Sequence, residues 1–264
     1  IGQRIMSISL YSAASGMEAQ QTNLNVISNN IANVNTAGFK KSKVEFQDMF
    51  YQMPKAVGAD TGGDILPTGI QVGSGTQVVA TSKVYTQGQV NRTDEELDVA
   101  IVGEGFFKVK DENGEDLYTR DGSLKRGPTG LLTTSQGKVL DPPITVDPAA
   151  NNIAISESGT VSFMQDSNPL GTAELKLVRF NNPSGLAALG GNLFRETTAS
   201  GVPDVGTPGT ESFGSLRQGF VENSNVNIVQ EMVNMIVAQR AYEINSKSIQ
   251  TSDQMMQQIG QLKR

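Results

Sequence analysis

Apolar residues recur at alternating steps of three and four near the start of the chain. Steps of this kind place side chains in one stripe along an α-helix. The stripe predicts a helix of about 26 residues, roughly 39 Å long, and Gly38 follows it as a stop signal. Its members are Leu10, Ala13, Met17, Leu24, Ile27, Ile31 and Val34, with Gln20 as a polar interruption.

A second stripe of the same kind occupies residues 223–264. Asn227 and Gln230 resemble a capping box, and Glu231 gives the first turn the negative charge that the helix dipole favours. These signals predict a helix of up to about 37 residues. The apolar members of the stripe are Val226, Val229, Val233, Ile236, Val237, Ala241, Ile244, Met255, Ile259 and Leu262.

The positions beside the first stripe carry amides in place of charges. Asn23, Asn25, Asn29, Asn30 and Asn33 are examples, although Asn is a weaker helix former than Glu or Lys. Amides can hydrogen-bond to a neighbouring chain without the cost of burying an unpaired charge. Two interpretations stay open: an outer face that packs against copies of the chain, or a two-helix coiled coil with a solvated polar face.

The signals between the helices favour β-strands. Residues 76–219 contain short apolar or alternating runs separated by turn residues, which is typical of an antiparallel sandwich or a distorted barrel. Asn113-Gly114 predicts a two-residue type I′ turn that joins 107–110 to 117–120.

Residues 54–75 are rich in glycine, proline and small polar residues, so they are expected to be extended or irregular. The segment also carries apolar residues that a purely flexible spacer would lack. We expect it to dock on a neighbouring subunit through Ile65, Leu66, Pro67, Ile70 and Val72.

The predicted fold class is α+β. The two terminal helices form a discontinuous coiled-coil domain from 1–50 and 223–264, and a mainly antiparallel β domain is inserted at 81–222. Residues 51–80 form the extended linker and docking segment. Residues 1–8 precede the helical pattern and are expected to be disordered until assembly.

Composition removes several classes of chemistry. The chain has no His, Cys or Trp, which excludes Ser-His-Asp and Cys-His triads, imidazole or thiolate metal sites, and disulfides. The net charge is −6, and residues 1–50 and 223–264 each carry four Lys and Arg against three Asp and Glu. The net negative charge argues against nucleic acid or an anionic membrane surface as the main partner, and the acidic middle is the part expected to meet water. No run is long enough for membrane insertion.

Two motifs resemble ligand sites but lack required residues. Asp111 and Asn113 mimic the opening of a calcium loop, but Asp116 replaces its glycine and Gly122 its bidentate Glu. The glycines of 103–105 precede a strand, where a dinucleotide loop would need a helix. Residues 118–122 are expected to form a strand and an Asp-Gly turn, with Arg120 and Asp121 solvated or paired. We predict no catalytic residue, cofactor or metal.

Three motifs carry a family resemblance. SGMEAQQ at 15–21 and NNIANVNTAGFK at 29–40 resemble the N-terminal signature of the bacterial flagellar axial proteins of the rod and hook. EMVNMIVAQRAYEIN at 231–245 resembles their C-terminal signature. Within that family, residues 66–75, 98–107 and 118–122 are most similar to the members that form the distal part of the rod.

The resemblance implies a non-enzymatic subunit that stacks helically with its copies into the rigid, hollow shaft that transmits motor torque through the periplasm to the hook. The helices would line the inner tube, and the β domain would face outward. The implied partners are proximal rod proteins, the hook protein, the P-ring and L-ring bushing, the rod cap and the flagellar type III export apparatus. That route exports the chain without a cleaved signal peptide.

The resemblance also guides the expected subunit interface on the inner helices. It comprises Leu10, Met17, Leu24, Ile27, Asn30, Ile31, Asn33, Val34, Val233, Ile236, Arg240, Tyr242, Ile244, Met255 and Ile259.

Two alternatives stay open. The nearest is a proximal rod or hook protein of the same family. From another class, the β domain would be a carbohydrate-binding module or a polysaccharide-degrading enzyme. A glycosidase needs two converging carboxylates, and the sequence fixes no such pair.

Overall fold

The computed structural model describes residues 2–55, 70–165, 168–210 and 212–262. Helix α1 spans Gly2–Ala32 and helix α2 spans Ile228–Leu262, and the described chain between them is mainly antiparallel strand. The fold class is therefore α+β with an inserted β domain, as predicted.

The chain divides into two compact units. The first contains the described parts of 1–31, 42–82 and 227–264, and the second contains those of 32–41 and 83–226. In this division, residues 42–82 group with the helices, and residues 32–41 and 223–226 group with the β domain.

Helix α1 begins at Gly2, so the expected disorder of residues 1–8 is wrong from Gly2 onward. The helix is 31 residues long, or about 46 Å. Its buried positions are mostly small or amide-bearing, whereas Leu10, Met17, Leu24 and Ile31 are only half-buried. The buried set is Ala13, Gly16, Ala19, Ile27 and Asn30.

Helix α2 begins at the predicted cap. The Asn227 Oδ1 accepts a hydrogen bond from the backbone N of Gln230 at 3.1 Å, which satisfies one of the free N–H groups at a helix start. The Gln230 side chain donates to the Asn234 Oδ1, one turn further along the helix, at 3.2 Å. Among the α2 side chains that the structure describes, Glu231, Ala238 and Ser252 are buried.

The two helices approach each other at Gly16. A Cβ added there would lie 2.7 Å from the Asn245 Nδ2, so this contact joins a glycine to an amide. The apolar stripe predicted for α2 lies largely exposed on its other side. The structure therefore does not confirm a coiled coil.

A two-stranded ribbon accompanies α1 in the first unit. Pairing joins β1 to β4 and β2 to β3, and the backbone bonds Met49 N to Gly75 O (2.9 Å) and Ser74 N to Phe50 O (3.1 Å) connect the two pairs. Residues 54–55 and 70–73 are thus strand, which is the extended form of the two that were expected for 54–75. Its strands are β1 Ser42–Asp48, β2 Tyr51–Lys55, β3 Ile70–Gly73 and β4 Thr76–Lys83.

The second unit holds the main apolar core. Its largest sheet has the order β16-β17-β8-β7-β11-β10-β9, with β15 pairing to β7 and β18. The second unit also contains a three-stranded sheet, β12-β13-β14, and the strand pairs β19-β6 and β20-β5. The strands are β5 Val90–Arg92, β6 Val99–Val102, β7 Phe106–Lys110, β8 Asp116–Thr119, β9 Leu124–Arg126, β10 Leu132–Thr134, β11 Val139–Leu140, β12 Asn152–Ile155, β13 Thr160–Gln165, β14 Asn168–Glu174, β15 Leu177–Arg179, β16 Ala187–Gly190, β17 Leu193–Arg195, β18 Asp204–Gly206, β19 Ser215–Gln218 and β20 Phe220–Glu222.

Successive side chains of β7 enter different clusters because they point to opposite faces of the sheet. Phe107 joins the large aliphatic cluster with Leu124 and Leu177. Phe106 joins an aromatic cluster with Tyr118 and Phe180.

The hairpin at Asn113-Gly114 forms, but its predicted turn type is wrong. Gly114 has a φ of +79°, and Asn113 is not among the positive-φ residues that a type I′ turn needs at both central positions. Asp111 N donates to Glu115 O, and Gly114 N donates to Asp111 O. This three-residue loop pairs Lys110 with Asp116, where a two-residue turn would pair it with residue 117.

Candidate subunit interface

The first half of α2 exposes an apolar face. Val229 is 72% exposed, Ile236 58% and Val237 62%, and Met232 and Val233 lie between them. These positions lie on the side of α2 opposite its buried residues, because a helix advances 100° per residue. Soluble monomers rarely expose large contiguous apolar patches. The face is therefore a candidate site for contact with another chain.

The predicted helix residues fall into three groups by burial. Ile27 and Asn30 are buried. Leu10, Met17, Leu24, Ile31, Asn33 and Val34 are half-buried. Val233, Ile236, Arg240, Tyr242, Ile244 and Met255 are exposed, and the side chain of Ile259 lies outside the described part.

The structure gives Asn30 a role within the chain. Its Nδ2 donates to the backbone O of Ser42, and its Oδ1 accepts from the Ser42 N, both at 2.9 Å. The Asn30 side-chain amide thus bonds both backbone groups of Ser42, as a neighbouring strand would, at the start of β1. Because Asn30 is 1% exposed, these bonds account for its burial.

Arg240 is placed at the surface of α2. Its Nη1 lies 3.1 Å from the Glu243 Oε2, and both side chains are largely exposed. An exposed pair of this kind contributes little stability, so the guanidinium stays accessible to a partner.

The ribbon contributes exposed aromatic residues. Phe50 is 90% exposed, and Phe46 and Tyr51 are also exposed. Of the predicted docking residues, Ile70 is exposed and Val72 half-buried. Ile65, Leu66 and Pro67 lie outside the described residues.

A buried charge cluster lies in the second unit. The Glu222 carboxylate binds the Lys40 Nζ and the Arg120 Nε, each at 2.7 Å. It also accepts from the backbone N of Gly88 at 2.8 Å. None of the three charged side chains is more than 5% exposed. The cluster joins the segment after α1, the strand β8 region and the segment before α2.

The remaining donors of the cluster find backbone acceptors. Lys40 Nζ donates to Thr86 O at 2.8 Å. The Arg120 guanidinium donates to the carbonyls of Ile101, Gly103 and Gly105. A buried ion pair is tolerated when its other donors are satisfied in this way.

Burial and charge act in opposite directions on these groups. Burial lowers the pKa of Lys40, and this outweighs the attraction of Glu222 that raises it. Burial raises the pKa of Glu222, but Arg120 and Lys40 together lower it below its ordinary value. Glu222 is therefore held as a carboxylate.

The two motifs NTAGFK and YTRDG meet beside the cluster. Gly38 has a φ of +67°, and a Cβ there would lie 2.7 Å from the Asp121 N. Its backbone N donates to Glu222 O at 2.8 Å. Glycine is required because a side chain would need both a rare backbone conformation and space that Asp121 occupies.

Neither Glu222 nor Lys40 was predicted from the sequence to be a buried charge. Arg120 was expected to be solvated or paired, and it is paired. The sequence feature that could have indicated the cluster is a single charged residue within an apolar strand or beside an aromatic residue, as in Phe220–Glu222. Such a charge needs a buried partner.

Over the described part of the chain, no three acidic side chains lie close enough together to hold a metal ion. Neither helix, over its described residues, is long and apolar enough to cross a membrane.

Comparison with known proteins identifies the family. The model of the flagella basal body rod protein matches 10–40, the flagellar hook protein FlgE/F/G D1 domain matches 100–163, and the flagellar basal body rod FlgEFG protein C-terminal matches 217–262.

Flagellar basal-body rod proteins FlgG are similar over nearly the whole chain. That of Buchnera aphidicola subsp. Schizaphis graminum is 48% identical over 257 residues, 96% of this chain and 99% of the relative. That of Borreliella burgdorferi is 48% identical over 264 residues, 98% and 100% of the two chains. That of Caulobacter vibrioides is 45% identical over 258 residues, 96% and 98%. The chain belongs to the FlgG family of flagellar basal-body rod proteins.

Proposed function

We propose that this chain is a structural subunit of the distal rod of the bacterial flagellum. It polymerises helically with its own copies into a rigid, hollow shaft that transmits torque from the motor to the hook. Its work is mechanical, and it catalyses no reaction. The full-length similarity to basal-body rod proteins supports the assignment.

The exposed apolar face of α2 is the observation that carries the proposal. The face comprises Val229, Met232, Val233, Ile236 and Val237, and Ile228 and Ile244 of the same helix are also exposed. A face of this kind is stabilised when a second chain covers it. In a helical polymer each copy offers the same face to its neighbour, through a head-to-tail contact that an open filament requires.

The half-buried residues of α1 extend the proposed interface. Leu10, Met17, Leu24 and Ile31 each keep part of their apolar surface accessible. The side-chain amides beside them on α1 donate and accept hydrogen bonds with adjacent copies, and no charge is buried without a partner. We assign the inner wall of the tube to these two helices.

The ribbon is the second proposed contact region. Phe50, Tyr51 and Ile70 project from it without cover in the described chain, and exposed aromatic residues are frequent anchors of protein interfaces. The predicted docking residues Ile65, Leu66 and Pro67 lie between Tyr51 and Ile70 in the sequence. In this proposal the segment 52–75 wedges against an adjacent subunit and limits sliding between copies, which keeps the rod straight.

The proposed partners follow from a position in the distal rod. They are copies of the chain, proximal rod proteins below, the hook protein above, the P-ring and L-ring bushing around it, and the rod cap during growth. The rod spans the periplasm. The chain reaches it through the flagellar type III export apparatus without a cleaved signal peptide.

Polymerisation of the purified chain tests the proposal. Sedimentation and electron microscopy should show straight, hollow filaments above a critical concentration. A chain lacking α2 should stay monomeric while its β unit remains folded by circular dichroism. A full-length chain that never self-associates, at any concentration at which it stays soluble, would contradict the proposal.

A further inference from the structure

A groove of about 300 Å³ lies between helix α1 and strand β4 in the first unit. Its α1 side carries Tyr11, Ser15, Glu18 and Thr22, and Thr76 lies on its β4 side. The four α1 positions follow one another at steps of three and four, so they share one side of the helix. The volume is at the lower end of pockets that hold small molecules, so the groove has room for one long side chain.

A side-chain hydroxyl holds the two walls of the groove together. The Ser15 Oγ donates to the backbone O of Ser12 at 3.0 Å and accepts from the backbone N of Thr76 at 3.3 Å. Ser15 thus ties α1 to the first residue of β4. The groove is therefore formed within a single chain before any ligand enters it.

Two threonine hydroxyls of the groove are available only as acceptors. The Thr22 Oγ1 donates to the backbone O of Glu18, and the Thr76 Oγ1 donates to the backbone O of Gln47, each at 3.1 Å. A hydroxyl has one proton and two lone pairs, so each threonine can still accept a hydrogen bond. A ligand that bonds to them has to supply N–H or O–H donors.

Glu18 gives the groove its charge. It is the one Asp, Glu, Lys or Arg among the residues that line the groove, and its side chain is exposed. Among the described residues, no Lys or Arg lies within ion-pair distance of its carboxylate. A carboxylate accepts hydrogen bonds and donates none. The groove therefore favours a cation that carries several N–H donors.

The set of groups in the groove favours a guanidinium over other cations. A guanidinium is a planar fork of N–H donors that pairs with a carboxylate through two parallel bonds and stacks on aromatic rings. The groove combines the carboxylate of Glu18, the hydroxyl acceptors and the ring of Tyr11. A calcium ion needs more oxygen ligands, usually with several carboxylates, and an ammonium is a compact charge without the fork.

Arg240 has the surroundings that this contact requires. Among the described residues its carboxylate partner is Glu243, with Nη1 3.1 Å from the Oε2 and both side chains largely exposed. Such a pair contributes little stability, so Arg240 loses little by leaving it. Arg240 follows Ile236 and Val237 by one turn of α2, so it lies beside the exposed apolar face. Within its own chain Arg240 does not line the groove.

We propose that the groove receives the Arg240 side chain of a second copy. The guanidinium pairs with the Glu18 carboxylate and donates to the Thr22 and Thr76 hydroxyls. Its methylene stem lies along the apolar wall of the groove, as arginine stems do, at Met49. Because the partner is a second copy, the contact rests on the proposed function. Groove and arginine are different parts of the chain, so the contact is head-to-tail, as an open filament needs.

Charge reversal tests whether the contact joins two copies. Glu18→Arg and Arg240→Glu each bring like charges together, so neither chain should polymerise alone below about 100 times the original critical concentration. An equimolar mixture should polymerise, because each reversed charge then meets an opposite charge on the other chain. Pelleting and electron microscopy measure both. A mixture that stays soluble, or either variant polymerising alone like the original chain, would overturn the proposal.

Milder variants keep the test decisive if a reversed chain folds poorly. Glu18→Gln and Arg240→Gln should each raise the critical concentration by at least about tenfold. Arg240→Lys should raise it too, because an ammonium lacks the fork. The double variant Glu18→Gln/Arg240→Gln should be no worse than either single one, because one shared contact is lost only once. Arg195→Gln changes an exposed arginine of the second unit and should polymerise like the original chain.

The monomer and the original chain supply the remaining controls. The melting temperature of the monomer should be the same in Glu18→Gln, Arg240→Gln and the original chain. A lower melting temperature with an unchanged critical concentration would place the two residues in a contact within one chain and overturn the proposal. If the original chain never polymerises, the proposed function fails and this contact fails with it. If it polymerises and both variants behave like Arg195→Gln, only the groove contact is refuted.

Discussion

Replacing Val233 with Asp should abolish polymerisation without unfolding the chain. Val233 lies within the apolar face of α2 and is 49% exposed, so about half of its side chain is left for a neighbour to cover. The exposed position also means that the monomer loses little packing when the residue changes. The helix itself should tolerate the change, because Val and Asp have similar helix propensities.

The expected size of the effect follows from that exposed half. Full burial of a valine side chain is worth about 1.5–3 kcal/mol, so the neighbour gains about 1 kcal/mol from this residue. Val233→Ala should therefore raise the critical concentration by roughly fivefold. Val233→Asp adds the cost of burying a carboxylate without a partner, which is several kcal/mol. Its critical concentration should rise by more than about 100-fold.

The measurement is the concentration of soluble chain that remains after polymer is pelleted. Val202→Asp is the matched control, because Val202 is 86% exposed in the second unit and receives the same charge. Circular dichroism should give the same helix content for both variants. Equal critical concentrations for Val233→Asp and Val202→Asp would refute the assignment of the α2 face as an interface.

The charge cluster and Gly38 yield three further predictions. Glu222→Gln leaves Lys40 and Arg120 buried without a counter-charge. The free energy of unfolding should therefore fall by about 3–5 kcal/mol, and the melting temperature should fall by roughly 6–20 °C. The control Glu174→Gln changes an exposed carboxylate and should alter the melting temperature little. Because the folded-state pKa of Glu222 is lowered, its contribution to the free energy of unfolding is full above the unfolded-state pKa and is lost as pH falls through the folded-state pKa. The free energy of unfolding should therefore fall less steeply with decreasing pH in Glu222→Gln than in the original chain. Identical slopes would contradict the lowered pKa. Gly38→Ala should lower the free energy of unfolding by about 1–3 kcal/mol, measured by chemical denaturation. An unchanged midpoint would contradict this, because it would mean that the backbone at Asp121 moves aside without loss of stability.

The helices were predictable because their information is local. The three-and-four spacing and the Asn227 cap lie within a few turns of the chain. Which side of α2 is buried was not predictable from that spacing. Ala238 and Ser252 are buried, and the half-buried Asn245 contacts Gly16, which has no side chain to keep the helices apart; the large apolar residues lie elsewhere. A hydrophobic stripe indicates where burial is favourable, and in the proposed polymer a neighbouring copy supplies that burial.

The charge cluster was missed because its members are far apart in sequence. Lys40 and Glu222 are separated by 182 positions, and no local pattern fixes such a pairing. The hairpin at Asn113-Gly114 shows the complementary limit. Its position was readable from two residues, but its register depends on whether the glycine alone takes a positive φ. Local sequence predicts that a turn exists more readily than how it pairs the strands.

The different burial of the two units leads to a last prediction about the order of assembly. The β unit closes its own core, and Lys40, Arg120 and Glu222 join the two chain segments that enter and leave it. Among its described side chains, helix α2 buries only a few small or polar ones and leaves its apolar face uncovered. Elements with few buried apolar contacts open at low free energy.

Hydrogen exchange of the monomer should therefore show fast exchange in 228–245 and slow exchange in β7 and β8. On polymerisation, protection should rise in 228–245 and stay nearly constant in the two strands, because only the helix gains a partner. Slow exchange of α2 in the monomer, equal to that of β7, would contradict this order. It would mean that the helix needs no neighbour, which would remove the physical reason for its exposed apolar face to drive assembly.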